Sequence, residues 1–114
     1  MSNEWKILFY ETKSGESPVY EFFKQQQAHG RSKITHLIDL LSKYGNALGL
    51  PHSKAMGSGL YEMRIRGKEE LRIFYCFTKQ KTIYLLHAFK KQGQRTPKKE
   101  FGIAAQRKEE IKSV

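Results

Sequence analysis

The sequence has little of several residue types that mark particular classes of protein. It contains one cysteine, Cys76, in 114 residues, so it cannot carry the disulfide framework of a small secreted protein. No apolar run approaches the roughly 18 residues needed to cross a bilayer. The amino-terminal segment MSNEWK also lacks the apolar stretch of a signal peptide. We therefore expect a cytosolic (cytoplasmic) protein that works in a reducing compartment.

Motifs of several enzyme classes are missing as well. No group of Cys and His residues has metal-ligand spacing, and no glycine-rich phosphate loop is present. Paired carboxylates for a two-acid mechanism are not evident. We therefore expect any chemistry to proceed with no metal and no cofactor.

Acidic residues are the other scarce class. The chain has 11 Asp and Glu against 21 Lys and Arg, a formal net charge of +10. Residues 1–53 carry six basic and five acidic side chains, whereas residues 54–114 carry fifteen and six. A positive potential on one part of a small protein attracts polyanions. The second half of the chain predicts binding to nucleic acid, an anionic membrane surface or an acidic protein; a basic surface that only confers solubility is the alternative.

The sequence pattern predicts one α+β domain, residues 1–114, with the element order β-α-α-β-β-β-α. The strands are expected at residues 4–10, 60–66, 71–78 and 82–90. The first helix begins at Ser17 and Pro18 and stops near Gly30, the second covers residues 32–44 before Gly45, and the last begins at Thr96 and Pro97. Short turns between the later strands indicate an antiparallel meander, so we expect an antiparallel sheet with the helices packed on one face.

The segment LYEMRIRGKEELRIFYCF, residues 60–77, predicts a hairpin with one apolar and one cationic face. Glu62, Arg64 and Arg66 alternate on the polar side of the first strand, and Arg72, Phe74 and Cys76 occupy the same side of the second. A common core for both apolar faces predicts Arg66 opposite Arg72, with a five-residue loop from Gly67 to Leu71. That register sets Arg64 across from Phe74 on an exposed face.

Arginines placed opposite each other destabilise a sheet by a few tenths of a kcal/mol or more, and only Glu62 offsets them. A solvated polar face on a half-exposed sheet is one explanation. The other is binding, because the planar guanidinium matches phosphate oxygens and stays charged at any working pH. Phe74 would then offer a surface on which a base can stack.

Further candidate residues follow the hairpin. His87 lies in the apolar strand TIYLLHAFKK and is either a satisfied core residue or a functional one. A dense basic run leads into the last helix and contains Lys90, Lys91, Arg95, Lys98 and Lys99. Cations at a helix amino terminus oppose the helix dipole, so they favour phosphate binding over stability.

Two segments, GLYEMRIRGKEELRIFYCF and LLHAFKKQGQRTPKKE, together resemble the HigB-type branch of the RelE/ParE toxin superfamily. These are phage-associated toxins of bacterial type II toxin–antitoxin systems. The resemblance runs from about Lys54 to Arg107, and SPVYEFF and the amphipathic helix precede it in the expected order. It implies a small α+β toxin that enters the ribosome and cleaves mRNA, an mRNA interferase (endoribonuclease) that inhibits translation.

The resemblance also implies roles for individual residues. Attack by the RNA's own 2′-hydroxyl needs alignment and charge stabilisation, which we assign to Arg72 as phosphate clamp, Arg64 at the transition state, and Lys91 or Arg95 at the leaving oxygen. The other expected RNA-binding residues are Lys54, Arg66, Phe74, His87, Lys90, Lys98 and Lys99. RelE-like nucleases often carry a tyrosine early in the last helix as a base; this chain has Lys98, Lys99 and Phe101 there, which leaves His87 or a lysine as candidates.

The expected partners are the ribosome, mRNA and a cognate helix-turn-helix antitoxin of the HigA-like kind, with no membrane partner. Two other functions remain open at this point. One is the ParE-like branch of the same fold, which inhibits DNA gyrase and cleaves no RNA. The other is a basic module that binds RNA or ribosomes without chemistry.

Overall fold

The computed structural model describes residues 4–94 and 97–112. The elements are, in chain order, β1 (Lys6–Phe9), α1 (Pro18–Gln25), α2 (Ala28–Tyr44), β2 (Ser53–Gly57), β3 (Leu60–Ile65), β4 (Glu70–Thr78), β5 (Thr82–Lys91) and α3 (Lys98–Lys112). The predicted α+β class is confirmed. The sequence pattern missed β2, because this short strand is mostly exposed and shows no alternation of apolar and polar residues.

The strands form one five-stranded sheet in the order β1-β5-β4-β3-β2. β3, β4 and β5 form the predicted antiparallel meander, and β2 pairs antiparallel with β3. β1 runs parallel to β5, with Lys6 opposite Thr82, so the sheet is mixed and the expected antiparallel arrangement does not extend to β1. Helices α1 and α2 carry the chain from β1 at one edge of the sheet to β2 at the other. The following strands then return across the sheet, so the last one, β5, lies beside β1.

Helices cover both faces of the sheet. On one face, Ile34, Leu37 and Leu41 of α2 pack with apolar residues of β3, β4 and β5. On the other face, Ala104 and neighbouring residues of α3 pack on a second apolar cluster, made by Leu60, Phe74, Cys76, Leu86 and Phe89. The prediction that all helices share one face is wrong, because β4 and β5 are apolar on both sides and each side must be shielded from water.

The break between the first two helices lies earlier in the sequence than predicted. Helix α1 ends at Gln25, and Gly30, expected to stop it, lies inside α2. Gln26 adopts an extended backbone, and its carbonyl accepts a bond from the Arg31 side chain. Pro18 occupies the first turn of α1 as expected, but the Ser17 hydroxyl makes no capping bond. In the described ranges, no helix is long and apolar enough to cross a membrane.

We expect Gly45→Ala to destabilise the protein. Gly45 follows α2 with φ 50° and ψ −123°, a conformation that costs a residue with a side chain about 1–3 kcal/mol. A Cβ there would also collide with the indole of Trp5. Urea denaturation should show a loss of at least this size in the free energy of unfolding.

Gly102→Ala is the matched control. Gly102 lies inside α3, and a Cβ added there meets no atom within 4 Å. Alanine should stabilise the helix at this position by about 0.5–1 kcal/mol. Equal unfolding midpoints for Gly45→Ala and wild type would contradict the role given to Gly45.

Candidate functional site

Two arginines face each other across the hairpin formed by β3 and β4. The register pairs Ile65 with Leu71, Arg64 with Arg72, and Glu62 with Phe74. The predicted register, with Arg66 opposite Arg72, is wrong by two positions. The loop has the predicted five residues but spans residues 66–70, because Ile65 and Leu71 both enter the core. Because the strand register differs from the prediction by an even number of residues, every side chain still lies on its predicted face of the sheet.

A buried carboxylate lies between the two arginines. Glu62 is 1% exposed, and its Oε1 lies 3.6 Å from the Nε of Arg64 and 3.6 Å from the Nε of Arg72. Glu70 adds a second carboxylate oxygen, 3.4 Å from Nη2 of Arg72. These contacts compensate two guanidiniums that would otherwise repel each other across the strands.

The two arginines differ in how far solvent can reach them. The side chain of Arg64 is 19% exposed, whereas that of Arg72 is 3% exposed. Arg72 also donates to the carbonyl of Leu71 at 3.0 Å. The cationic face is therefore not the open surface that the sequence predicted, and Arg64 is the accessible member of the pair.

Phe74 does not offer a surface to a base. Its ring is fully buried, stacked at 5.7 Å on Phe89 and in edge contact at 6.0 Å with Phe101 of α3. The prediction of an exposed stacking surface is wrong because α3 covers this part of the sheet. The alternation of residues identified the correct face, but not the helix that packs against it.

The strand register brings further cations to the same end of the sheet. Lys91 lies opposite Glu70 and is partly exposed, so alternation places it on the face of Arg72. Lys90 lies opposite Leu71, on the other face, and forms an ion pair with Glu69. Arg64, Arg72 and Lys91 thus share one end and one face.

The remaining predicted cations are spread around this end. Arg66 follows β3 and is largely exposed, 3.9 Å from Glu70. Lys54 lies opposite Glu62 on the edge strand β2 and is exposed. Lys98 and Lys99 are exposed in the first turn of α3. Arg95 and the predicted cap Thr96 lie outside the described residues.

His87 joins α3 to β5. Its Nε2 lies 2.6 Å from Oε1 of Glu100, and its Nδ1 lies 3.3 Å from Nη1 of Arg107. Burial lowers the pKa of His87; the hydrogen bond and charge of Glu100 oppose this, while Arg107 and Lys99 add to it. The contacts fit a neutral imidazole that donates from Nε2 and accepts at Nδ1. Both nitrogens are engaged inside the protein, so neither is free to take a proton from RNA.

Three carboxylates give this region its geometry. Glu62 was expected to offset the arginines, whereas no site role was predicted for Glu70 or Glu100. Glu62 and Glu70 hold the arginines, and Glu100 holds His87. The spacing of Glu62, two residues before Arg64, placed it on the same face in the sequence-based prediction. The contact of Glu100 was not predictable, because it depends on how α3 docks.

Comparison with protein-family models matches residues 21–109 to a family described as Phage derived protein Gp49-like (DUF891). The matched range includes the four strands from β2 to β5 and every predicted site residue. A search of curated proteins finds no match.

We expect Glu62→Gln to destabilise the protein strongly. Removal of one partner from a buried ion pair costs about 3–5 kcal/mol, because the remaining charge stays buried without compensation. The matched control is Glu70→Gln, which removes the other carboxylate near Arg72. The side chain of Glu70 is 39% exposed, so its loss should cost under about 1 kcal/mol. Urea unfolding measures both, and equal costs would contradict the role of Glu62 as the buried counter-ion.

The contribution of His87 to stability should depend on pH. Since burial lowers its folded pKa, the unfolded chain takes up a proton below about pH 6.5 that the folded chain does not hold. The free energy of unfolding of the wild type, relative to His87→Gln, should therefore fall as the pH is lowered from neutral towards 5. Urea denaturation across this range tests it; a relative stability that rises on acidification would show that His87 is protonated in the fold.

Proposed function

Because the chain belongs to the phage-derived Gp49-like family, a family of RelE/ParE-like toxins, we propose that it is the toxin of a type II toxin–antitoxin pair and cleaves mRNA on the ribosome. The observation that carries the proposal is the pair formed by Arg64 and Arg72, held by Glu62 at the cationic end of the sheet. A protein that needed only solubility would gain nothing from guanidiniums placed opposite each other on neighbouring strands.

The proposed reaction is attack of an RNA 2′-hydroxyl on the adjacent phosphorus. The 2′-hydroxyl loses its proton to water, the oxygen–phosphorus bond to the next nucleotide breaks, and the leaving 5′-oxygen takes up a proton from Lys91, which water then reprotonates. The products are a 2′,3′-cyclic phosphate and a free 5′-hydroxyl. The protein has to align the backbone and stabilise the negative charge that develops on the phosphate oxygens. Fixed cations in a partly desolvated site can do both, because their orientation is set before the reaction begins.

The exposures of the side chains suggest how the roles are divided. Arg64, which solvent reaches, is proposed to contact the scissile phosphate and stabilise its charge. Lys91, on the same face, is proposed to interact with the leaving oxygen, as is Arg95 in the sequence-based assignment. Arg72 is too buried to clamp the phosphate directly, so we assign it as a positioning residue that fixes Glu62 and, through it, Arg64.

The proposed partner in the resting cell is an antitoxin, as the toxin family suggests. The helix-turn-helix type expected from the sequence remains part of the proposal. An acidic or helix-presenting inhibitor suits the cationic end, because charge complementarity favours association with a surface of this potential. Binding there would neutralise or cover Arg64.

The test is cleavage by the wild type and by Arg64→Gln in a purified translation system, with new transcript 5′ ends mapped by primer extension. The variant should cleave roughly 100-fold more slowly or worse, the usual cost of removing one donor that stabilises transition-state charge. Lys79→Gln is the matched control: it removes one positive charge from the turn between β4 and β5, at the opposite end of the sheet, and should retain the wild-type rate.

Thermal unfolding of both variants separates lost chemistry from lost folding. If the folded Arg64→Gln variant still produces the new transcript 5′ ends, the assignment of the site is contradicted. Growth arrest in a bacterial host without new ends, but with double-strand DNA breaks, would replace the proposal with gyrase inhibition. Ribosome binding without cleavage or arrest would replace it with a non-catalytic module.

A further inference from the structure

A groove of about 400 Å³ lies beside α2, near the carboxyl end of β3. Helix α2 packs on the face of the sheet opposite α3, so the groove is separate from the contacts of Arg72 and Lys91. Its lining residues are Ser32, Lys33, His36 and Leu37 from α2, Pro51 and His52 before β2, and Arg64, Ile65 and Arg66 at the end of β3. No binding role was predicted from the sequence for the lining residues before Arg64.

The lining combines flat, apolar and cationic groups. Leu37, Pro51 and Ile65 supply apolar surface, His36 and His52 supply two imidazoles, and Lys33 and Arg66 supply cations. Arg64 borders the groove, with its Nε next to Glu62. None of these nine residues, all in the described part of the chain, is acidic. Arg64 and Arg66 are paired with Glu62 and Glu70 of the hairpin, whereas Lys33 donates to the carbonyl of Arg66.

Two contacts fix the walls of the groove. The Nζ of Lys33 donates to the carbonyl of Arg66 at 2.8 Å and so ties α2 to the end of the hairpin. The backbone N–H of Arg64 donates to the carbonyl of His52 at 2.8 Å and ties the segment before β2 to β3. A site whose walls are held before a ligand arrives loses less entropy on binding.

We propose that this groove binds a nucleotide of single-stranded RNA, with the base against the imidazoles and apolar surface and the phosphates at Lys33 and Arg66. The inference rests on the proposed function for the identity of the polyanion and adds a second contact region on α2. The volume lies in the usual range for small-ligand pockets. Aromatic surfaces next to cations are the usual means of holding an unpaired base and its backbone.

The position of Arg64 explains how the groove and the hairpin face can act on one strand of RNA. Arg64 lines the groove and is also paired with Glu62 on the hairpin. A nucleotide in the groove would place its neighbour near this arginine. An acidic peptide would satisfy the cations but would leave the two imidazoles and the apolar surface without a flat partner, so RNA is the occupant that uses the whole lining.

The test is fluorescence anisotropy of a 5′-labelled hexauridine with the full chain, in the absence of ribosomes. His36→Ala should weaken binding about tenfold, the scale of losing one stacking partner. Lys33→Gln should weaken binding and reduce the slope of log affinity against log salt by about 0.7, the value for one phosphate contact on a single strand. Both side chains are exposed, and thermal unfolding confirms that the variants fold.

The matched controls come from the same helix. Tyr44→Ala and Lys43→Gln remove an exposed ring and an exposed cation from the far end of α2, outside the groove, and should bind like the wild type. Equal losses in variants and controls, or no loss in either variant, would overturn the inference. If polyglutamate or inorganic polyphosphate competes as well as unlabelled hexauridine, and His36→Ala leaves that competition unchanged, the groove is an acidic-peptide or general anion site and the inference also fails.

The two proposals fail in different experiments. If the groove variants lose hexauridine binding but the wild type does not cleave mRNA on the ribosome, the proposed nuclease is overturned and the groove remains an RNA site. If the wild type cleaves mRNA but its hexauridine binding does not depend on His36 or Lys33, the groove proposal is overturned and the nuclease remains.

Discussion

The burial of Glu62 between Arg64 and Arg72 is the interaction on which the cationic end of the molecule depends. Two guanidiniums on adjacent strands repel each other, and desolvation of either one alone is expensive. One carboxylate within 3.6 Å of both Nε atoms reduces that repulsion. Arg72 is buried beside this carboxylate, whereas Arg64 stays within reach of solvent.

The second constraint is a sheet that is apolar on both faces. Helix α2 shields one side, and α3 shields the other through Phe101 and Ala104. The docking of α3 brings its basic first turn close to the sheet, since Glu100 of that turn binds His87 on β5. The packing that excludes water from Phe74 therefore also positions Lys98 and Lys99.

Much of the fold could be predicted from the sequence because its signals are local. The spacing of Ile34, Leu37 and Leu41 in α2, and the alternation along β3 and β4, follow directly from helix and strand periodicity. The side of α3 and the parallel partner of β1 depend on contacts between distant parts of the chain. Local periodicity contains no information on such contacts. The position of β2 at the exposed edge of the sheet could not be predicted for the same reason.

The candidate site also combines features that local sequence predicts with features that only the folded chain determines. The faces of Arg64 and Arg72 were predictable, because alternation specifies them whatever the register. Their accessibility was not, because it depends on Glu62 and α3 together. The groove beside α2 escaped prediction for a related reason: Lys33 and His36 are separated from Arg64 by about thirty residues of sequence, and only the packing of α2 on β3 brings them together.

The parallel pairing of β1 with β5 has a consequence for how the molecule is made. Residues 6–9 reach the ribosome exit first, yet their partners are residues 82–85. Contacts so distant in sequence form slowly, since a long loop must close before they contribute. The first strand therefore waits for most of the chain, and the sheet closes after β5 has emerged. The arginine pair is local to the hairpin of β3 and β4, so it can form before the sheet closes, whereas Lys91 joins it only when β5 is complete.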